Sequence, residues 1–319
     1  MSHTTRKTAN RPRSGSTTAS KDRSRPGSVT ARTATAKSAR LWWPIAAAGA
    51  AALVAGGIYV ATQSGGADGS DAGAQYVGGD LHSLIAIDGR LYVGGHDGVA
   101  VSTNEGRSWE AVSSLEGADA MGWAQTSSGL LVGGHPGLYT SNDNGATFTK
   151  ATGDSQVGDV HAVGAAGDTV YVASPEAGLL ASSDGGATWT SRNDAVGQTF
   201  MGTILVDPSD PEHLIAPDMQ NGAVTSSDGG RTWTTMGGPG ATMFVAWDTS
   251  DTQRLIAVGM DGGALSRDGG DTWTELPLPD GTSAATFSED GTTLYAAALD
   301  GDAARVSLST DDGLTWSEL

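Results

Sequence analysis

From His82 onward, the chain alternates apolar and polar residues in short runs separated by Gly and Asp turns. In the first unit, His82–Ile87 alternates, Arg90–Gly94 and Gly98–Ser102 follow, and Trp109–Val112 ends the unit. Four strands per unit are therefore predicted. No window keeps apolar residues at the helical period of 3.6, so a helical fold is not favoured. The same pattern recurs in 120–151, 159–192, 199–235, 242–276 and 283–319.

An eight-residue segment links the third and fourth predicted strands of every unit. We call it the octet; the copy at Ser182–Trp189 reads SSDGGATW, and the six copies begin at 102, 141, 182, 226, 266 and 309. A repeat of roughly 40 residues is typical of units that bury their faces only against neighbouring units. The sequence thus predicts an all-β, six-bladed propeller of four-stranded blades over residues 80–319.

The octet has the composition of a tight turn that ends in an aromatic anchor. The acid at its third position is expected to accept hydrogen bonds from the turn, and the glycine at its fifth position to supply a positive φ. The terminal aromatic residue is expected to pack between sheets. These residues are structural in this interpretation. They are Asp143, Asp184, Asp228, Asp268 and Asp311, with Trp109, Trp189, Trp233, Trp273 and Trp316.

The chain before the propeller has a different character. Residues 1–40 carry ten Lys and Arg residues against one acid, and are expected to form a disordered basic tail. Leu41–Thr62 contains no charge, and as a helix it would be roughly 33 Å long, enough for one membrane span. Because the basic residues lie only before this segment, the tail is predicted to be cytoplasmic and the propeller extracellular. A cleaved signal peptide is the alternative.

Residues 63–79 are rich in Gly, Ser and Asp and are predicted to be a flexible linker. Tyr76 and Val77, near its end, are candidates for an extra edge strand that pairs with the last blade and helps to close the ring. Closure by face packing alone is the alternative.

Charge and cysteine content restrict the function. The formal net charge is −18, and the chain after residue 40 is more acidic still, so nucleic-acid binding by the propeller is not expected. The chain has no cysteine, which excludes disulfides and thiolate metal sites.

The octet resembles the Asp-box, or BNR repeat, with the pattern S-x-D-x-G-x-T-W. The chain looks most similar to small membrane-anchored bacterial proteins labelled sialidase-like glycosyl hydrolases. It also resembles xyloglucanases, sortilin-type receptors and photosystem II assembly-factor propellers. The resemblance implies that the octets lie on the face opposite the functional one, which the loops between second and third strands would form. The repeat specifies a fold and not a reaction.

A sialidase-like site would imply an arginine triad and a Tyr–Glu pair. Three of the seven propeller arginines (Arg107, Arg231 and Arg267) lie inside octets, on the face where no site is expected. Sialidase activity is therefore not predicted. Glycoside hydrolysis by a carboxylate pair stays open as an alternative, with the weak candidates Glu176, Asp218 and Asp261.

Four histidines form a pattern on the expected functional face. His82 and His161 open first strands, while His96 and His135 end second strands in matching Gly-Gly-His contexts. Because first and second strands are antiparallel, His82 and His96 are expected to be neighbours. Imidazoles with carboxylates suit Zn, Cu or Ni, so a divalent transition metal is a candidate ligand, although no cofactor is required. The alternative is a polar rim of solvated loops.

These observations together favour a membrane-anchored extracytoplasmic propeller that acts as a binding or assembly module. Its expected partners are the membrane, through residues 41–62, and an extracytoplasmic protein or glycan. A glycoside hydrolase and a metal-binding surface protein are the two alternatives.

Overall fold

Each predicted unit folds into one four-stranded antiparallel blade, because alternating strands joined by Gly and Asp turns pair with their chain neighbours. The computed structural model describes residues 75–153 and 157–319, whose six sheets confirm the predicted six-bladed, all-β propeller. The predicted tail, the span 41–62 and most of the linker lie outside these residues. Within the described ranges, no helix has the length and apolarity needed to cross a membrane.

The strands of blades one to three follow one another from the axis outward, and a 3-10 helix at Ser113–Leu115 leads into blade two. Blade one contains β2 (Leu81–Ile87), β3 (Arg90–Gly95), β4 (Val99–Ser102) and β5 (Glu110–Ala111). Blade two contains β6 (Gly122–Thr126), β7 (Gly129–Gly134), β8 (Gly137–Ser141) and β9 (Thr149–Lys150). Blade three contains β10 (Ala162–Ala166), β11 (Thr169–Ser174), β12 (Gly178–Ser182) and β13 (Thr190–Asn193).

Blades four to six repeat this order, except that the inner strand of blade four is broken at Ile204. Its first part, β14 (Gly202–Thr203), pairs in parallel with β10 of blade three. The rest of blade four is β15 (Leu205–Val206), β16 (Leu214–Asp218), β17 (Gly222–Ser226) and β18 (Thr234–Gly237). Blade five contains β19 (Thr242–Asp248), β20 (Asp251–Gly259), β21 (Gly262–Ser266) and β22 (Thr274–Leu276). Blade six contains β23 (Thr282–Phe287), β24 (Leu294–Asp300), β25 (Ala303–Ser309) and β26 (Ser317–Glu318).

A strand from before the first blade completes the last one. The short outer strand β26 covers only part of the edge of β25, and β1 (Gln75–Tyr76) pairs with the rest, with Gln75 opposite Ala304. Val77 follows, fully buried, and its N–H donates to the Asp302 carbonyl at 2.9 Å. This confirms the predicted pairing of the 76–77 region with the last blade.

Aromatic side chains fill the space between blades. Tyr92 of blade one and Trp123 of blade two are both buried, with ring centroids 4.8 Å apart. Phe148, at the end of the second octet, meets Trp123 edge-on at 5.9 Å. The Trp123 indole N–H donates to the Ser83 hydroxyl at 2.9 Å, so its one polar atom is satisfied. Trp123 is therefore a core residue.

The octet adopts the predicted turn. In Ser182–Trp189, the Asp184 carboxylate accepts hydrogen bonds from the Thr188 N–H and hydroxyl, at 2.9 and 2.6 Å. Gly186 has the predicted positive φ of 92°, and its N–H donates to the Ser182 hydroxyl. The fourth position is also left-handed, with a φ of 72° at Gly185, which the sequence reasoning did not predict.

The axis has two different ends, because all inner strands run in the same direction. At the end where the inner strands finish, next to the octets, residues such as Ile85, Phe244 and Phe287 line an apolar cavity of about 450 Å³. At the other end the axis narrows to a cavity of about 130 Å³. We call this narrow end the axial mouth; it is lined by residues within one position of the start of an inner strand, among them His82, Met121, Met201, Met243 and Ser283.

Candidate functional site

His82 lies on β2, at an irregularity that turns it toward the axial mouth. The pairing of β2 with β3 shifts between Leu81, opposite Gly95, and Ser83, opposite Gly94, so that His82 is left without a cross-strand partner. His96 directly follows β3, and the two imidazole centroids are 6.2 Å apart. The expected proximity of His82 and His96 is confirmed.

The Gly-Gly pair before His96 is required because two chain segments approach it closely, one from blade two and one from the start of blade one. A Cβ on Gly94 would lie 2.7 Å from the Ala120 Cβ, and a Cβ on Gly95 would lie 2.2 Å from the Asp80 carbonyl oxygen. Only glycine allows these approaches. Gly94 thus allows the start of blade two to lie against the two histidines of blade one.

The close packing of Ala120 on Gly94 places the preceding residue, Asp119, beside the two histidines. Asp119 lies two residues before Met121, and its backbone N–H donates to the His135 carbonyl at 3.2 Å. A Cβ on Gly134 would lie only 1.5 Å from the Asp119 carbonyl oxygen, so the position of this loop depends on a second Gly-Gly-His segment. Asp119 is therefore held from both sides by glycine-lined strands.

His82, His96 and Asp119 form a compact group of potential metal ligands. Asp119 Oδ1 lies 3.2 Å from His82 Nε2, and Asp119 Oδ2 lies 3.6 Å from His96 Nδ1. One ligand atom from each residue lies within 4.8 Å of the other two. The Asp119 side chain is 10% exposed and that of His82 17%, whereas the His96 side chain is 63% exposed. The group is therefore buried on one side and open to solvent on the other.

The short contact between His82 and Asp119 is not a hydrogen bond. His82 Nε2 and Asp119 Oδ1 are both buried, and neither has a hydrogen-bond partner among the described residues. A buried polar atom without a hydrogen bond costs about 1–3 kcal/mol of free energy. A cation between the two atoms would remove that cost.

Burial shifts the pKa values of two side chains at this end of the propeller, Asp119 and His161. Burial raises the pKa of Asp119 above its ordinary value, and the charges of His82, His96 and His135 oppose this shift only partly. Burial likewise lowers the pKa of His161, against the opposing charge of Asp159. A neutral imidazole is the form that binds metal ions.

The other two predicted histidines form a second, looser group next to the first. His135 Nδ1 lies 3.8 Å and His161 Nε2 3.5 Å from Asp159 Oδ1. His161 Nδ1 is buried, again without a hydrogen-bond partner in the described part of the chain. All four predicted histidines thus pair with one of two aspartates at the same end of the propeller.

Asp119 and Asp159 are site residues that the sequence did not predict. Asp80, Asp119 and Asp159 each stand two residues before an equivalent position of their blade, occupied by His82, Met121 and His161. This repeated spacing is visible in the sequence, but it does not reveal that Asp119 turns back to the histidines of the preceding blade.

The three candidate carboxylates for hydrolysis lie in the later loops of the same face. Glu176 and Asp261 are exposed. Asp218 is buried, and its carboxylate accepts four hydrogen bonds within its own surroundings, one from Thr199, one from Gln220 and two from Asn221. The carboxylate of Asp218 therefore stabilises its turn.

Comparisons with known proteins agree with the fold. A family model described as sortilin, neurotensin receptor 3, matches residues 136–261, which is less than half of the chain. No curated protein matches the sequence.

Solved structures give the same result. A GH74 xyloglucanase from Xanthomonas campestris is 19% identical with a TM-score of 0.51, and the match covers 76% of this chain and 46% of the enzyme. A chain of the mitotic checkpoint complex is 14% identical with a TM-score of 0.50, covering 82% of this chain and 88% of that one. YCF48 from Cyanidioschyzon merolae is 16% identical with a TM-score of 0.47, covering 78% and 87%. The chain thus spans about half the length of the xyloglucanase. At these identities the first two similarities show the propeller fold alone.

Proposed function

We propose that this chain is a membrane-anchored extracytoplasmic binding module that holds a divalent transition-metal ion between His82, His96 and Asp119. The observation that carries the proposal is the unsatisfied contact at 3.2 Å between His82 Nε2 and Asp119 Oδ1. Two imidazoles and one carboxylate are a donor set that suits zinc, nickel or copper.

A metal ion held by only three protein ligands can also bind a partner molecule. Three protein ligands leave at least one coordination position for water or for a group of a partner molecule. The exposed imidazole of His96 lies on the solvent side of the group, where a partner would approach. The proposed ligand is therefore the metal ion together with an extracytoplasmic protein or glycan that completes its coordination.

Metal titration of the full-length chain, purified in detergent and stripped with a chelator, tests this function. Equilibrium dialysis against Zn²⁺ or Ni²⁺, with elemental analysis, should find one bound ion per chain. His82→Gln and Asp119→Asn should each weaken binding by about 100-fold, because each removes one of three ligands.

The matched control is His213→Gln. His213 also pairs with an aspartate, Asp207, at 3.4 Å, but it lies in the hairpin between β15 and β16 at the opposite end of the blade. Its variant should bind metal as tightly as the unchanged chain. Equal affinities in the His82→Gln, Asp119→Asn and His213→Gln variants would refute the site.

The proposed extracytoplasmic location of the propeller is argued from the sequence that precedes it. The uncharged segment 41–62 would form one span, with the basic tail in the cytoplasm. Protease added to intact cells should then digest the linker and release the propeller, whereas protection of the linker until the cells are lysed would contradict this orientation.

Glycoside hydrolysis is the weaker alternative. Among its candidate residues, Asp218 already accepts four hydrogen bonds that fix its turn, which favours binding over catalysis at this face. Turnover of aryl glycosides that is lost in a Glu176→Ala or Asp261→Ala variant would reverse this preference.

A further inference from the structure

Three methionines line the axial mouth together with His82. Met121 and Met201 directly precede the inner strands of blades two and four, and Met243 is the second residue of that of blade five. All three contribute to the cavity of about 130 Å³ that His82 also lines. The chain has only seven methionines, including Met1. Their concentration around one small cavity calls for a physical reason.

The backbones at these positions converge closely. A Cβ on Gly202, directly after Met201, would lie 3.0 Å from the Met243 carbonyl oxygen and 3.8 Å from that of Met121. A Cβ on Gly122, directly after Met121, would lie 2.0 Å from the Gly202 carbonyl oxygen. The three backbones therefore approach one another, and the three flexible thioether side chains line the same cavity.

The environment of these side chains suits coordination. Met121 is buried, and Met201 and Met243 are half-buried, so that all three are partly withdrawn from solvent. Leucine and isoleucine fill equivalent space elsewhere in the core, and packing alone does not require sulphur. The unsatisfied His82 Nε2 belongs to a residue of the same cavity.

Thioether sulphur is a soft, uncharged ligand that selects Cu(I) over Zn²⁺ and other harder ions. We infer that the axial mouth binds a monovalent copper ion through the sulphur atoms of Met121, Met201 and Met243, with His82 as the nitrogen ligand. The inference rests on the proposed function in one respect, since His82 is shared with the divalent site. The two ions therefore compete for His82.

Competition for Cu(I) against the coloured chelator bicinchoninate, without oxygen and with the full-length chain in detergent, tests the inference. The variant Met121→Leu, Met201→Leu, Met243→Leu keeps side-chain volume nearly constant while it removes the sulphur atoms. Its Cu(I) affinity should fall about 100-fold or more, since three of four ligands are lost. Zn²⁺ affinity should stay unchanged, because His82, His96 and Asp119 remain.

The chain provides a matched control in its other methionines. The variant Met219→Leu, Met236→Leu, Met260→Leu makes the same three changes away from the axial mouth and should bind Cu(I) normally. Circular dichroism of both variants checks that they fold, and the single variant Met201→Leu, at a half-buried position, replaces the triple variant if that one unfolds. Silver(I), which has no accessible redox chemistry here, should compete with Cu(I) at the same site.

X-ray absorption at the copper edge gives a second, independent readout. Because the chain contains no cysteine, sulphur neighbours of bound copper can come only from methionine. Cu(I) affinities within threefold of each other for the two triple variants, or a copper shell without sulphur, would overturn the inference while leaving the Zn²⁺ result untouched. Methionine-dependent Cu(I) binding without any Zn²⁺ binding would instead refute the proposed divalent site alone.

Discussion

His82 Nε2 and Asp119 Oδ1 face each other at 3.2 Å across the boundary between blades one and two, and no hydrogen bond joins them. Side chains that belong to different blades can be held in such a contact only if the blades themselves are fixed against each other. The group thus depends on the glycine-mediated approach of the two blades as much as on the ligand residues.

Gly134→Ala should damage the metal site without touching a ligand. The new Cβ would overlap the Asp119 carbonyl oxygen and push the Asp119 loop away from His82. We expect Zn²⁺ affinity to fall about 10- to 100-fold in dialysis, as for other residues that orient ligands. Gly98→Ala is the matched control, since a Cβ there meets no atom within 4 Å. Unchanged affinity in Gly134→Ala would mean that the loop is not fixed in this way.

Trp123→Ala should destabilise the propeller strongly, by about 3–5 kcal/mol, because it leaves a large cavity between blades one and two. Its indole is 1% exposed and contacts the Tyr92 and Phe148 rings. Urea denaturation followed by fluorescence measures the loss. Trp316→Ala, at a half-buried position in the last octet, should cost clearly less. Equal losses would show that the two tryptophans have equivalent roles.

A disulfide between β1 and β25 should lock the ring. Gln75 and Ala304 are directly opposite each other, and the chain has no cysteine of its own that could interfere. The double variant Gln75→Cys, Ala304→Cys should gain about 2–4 kcal/mol of stability when oxidised, and the gain should disappear on reduction. Gln75→Cys alone is the control. Failure of the two thiols to react would argue against the pairing of β1 with β25.

The octets should make stability sensitive to acid. Hydrogen bonds from the Thr188 hydroxyl, the Ser182 hydroxyl and the Thr188 N–H lower the pKa of Asp184 from 3.8 to about 2. A pKa lowered in the folded chain contributes stability above 3.8 that is lost as the pH falls toward 2. Thr147, Thr232 and Thr315 have the same effect on the pKa values of Asp143, Asp228 and Asp311, each about 2.

Urea midpoints measured from pH 5 to pH 2 should therefore decline through this range. Asp184→Asn should show a smaller decline, because asparagine does not titrate, and a lower midpoint at pH 5. Asp280→Asn, at an exposed position outside the octets, should decline as steeply as the unchanged chain. An equally steep decline in Asp184→Asn would exclude the octet as a source of acid sensitivity.

The octet predicts the blades well because its contacts are local. The turn at Ser182–Trp189 closes on itself through hydrogen bonds from backbone N–H groups to side-chain oxygens four residues earlier, so its sequence alone determines its geometry. The proximity of His82 and His96 is predictable for a similar reason, since adjacent strands carry them.

The role of Asp119 could not be predicted from the sequence in this way. Its contact with His82 crosses from one blade to the next and depends on how closely Ala120 packs on Gly94. The convergence of Met121, Met201 and Met243 depends equally on the narrowing of the axis, where β14 leaves its own blade to pair with β10. Both contacts join different blades, so the sequence of a single repeat does not predict them.

The pairing of β1 with β25 has a consequence for how the protein forms. The two partners are about 230 residues apart, and β1 is synthesised long before β25. Until β25 has been synthesised, the strand edge that β1 covers does not exist. The segment that forms β1 therefore has no strand partner while blades one to five are made. Closure through β1 therefore cannot occur before β25 has been synthesised, and a ribosome that stalls within blade six leaves an open, aggregation-prone arc of blades.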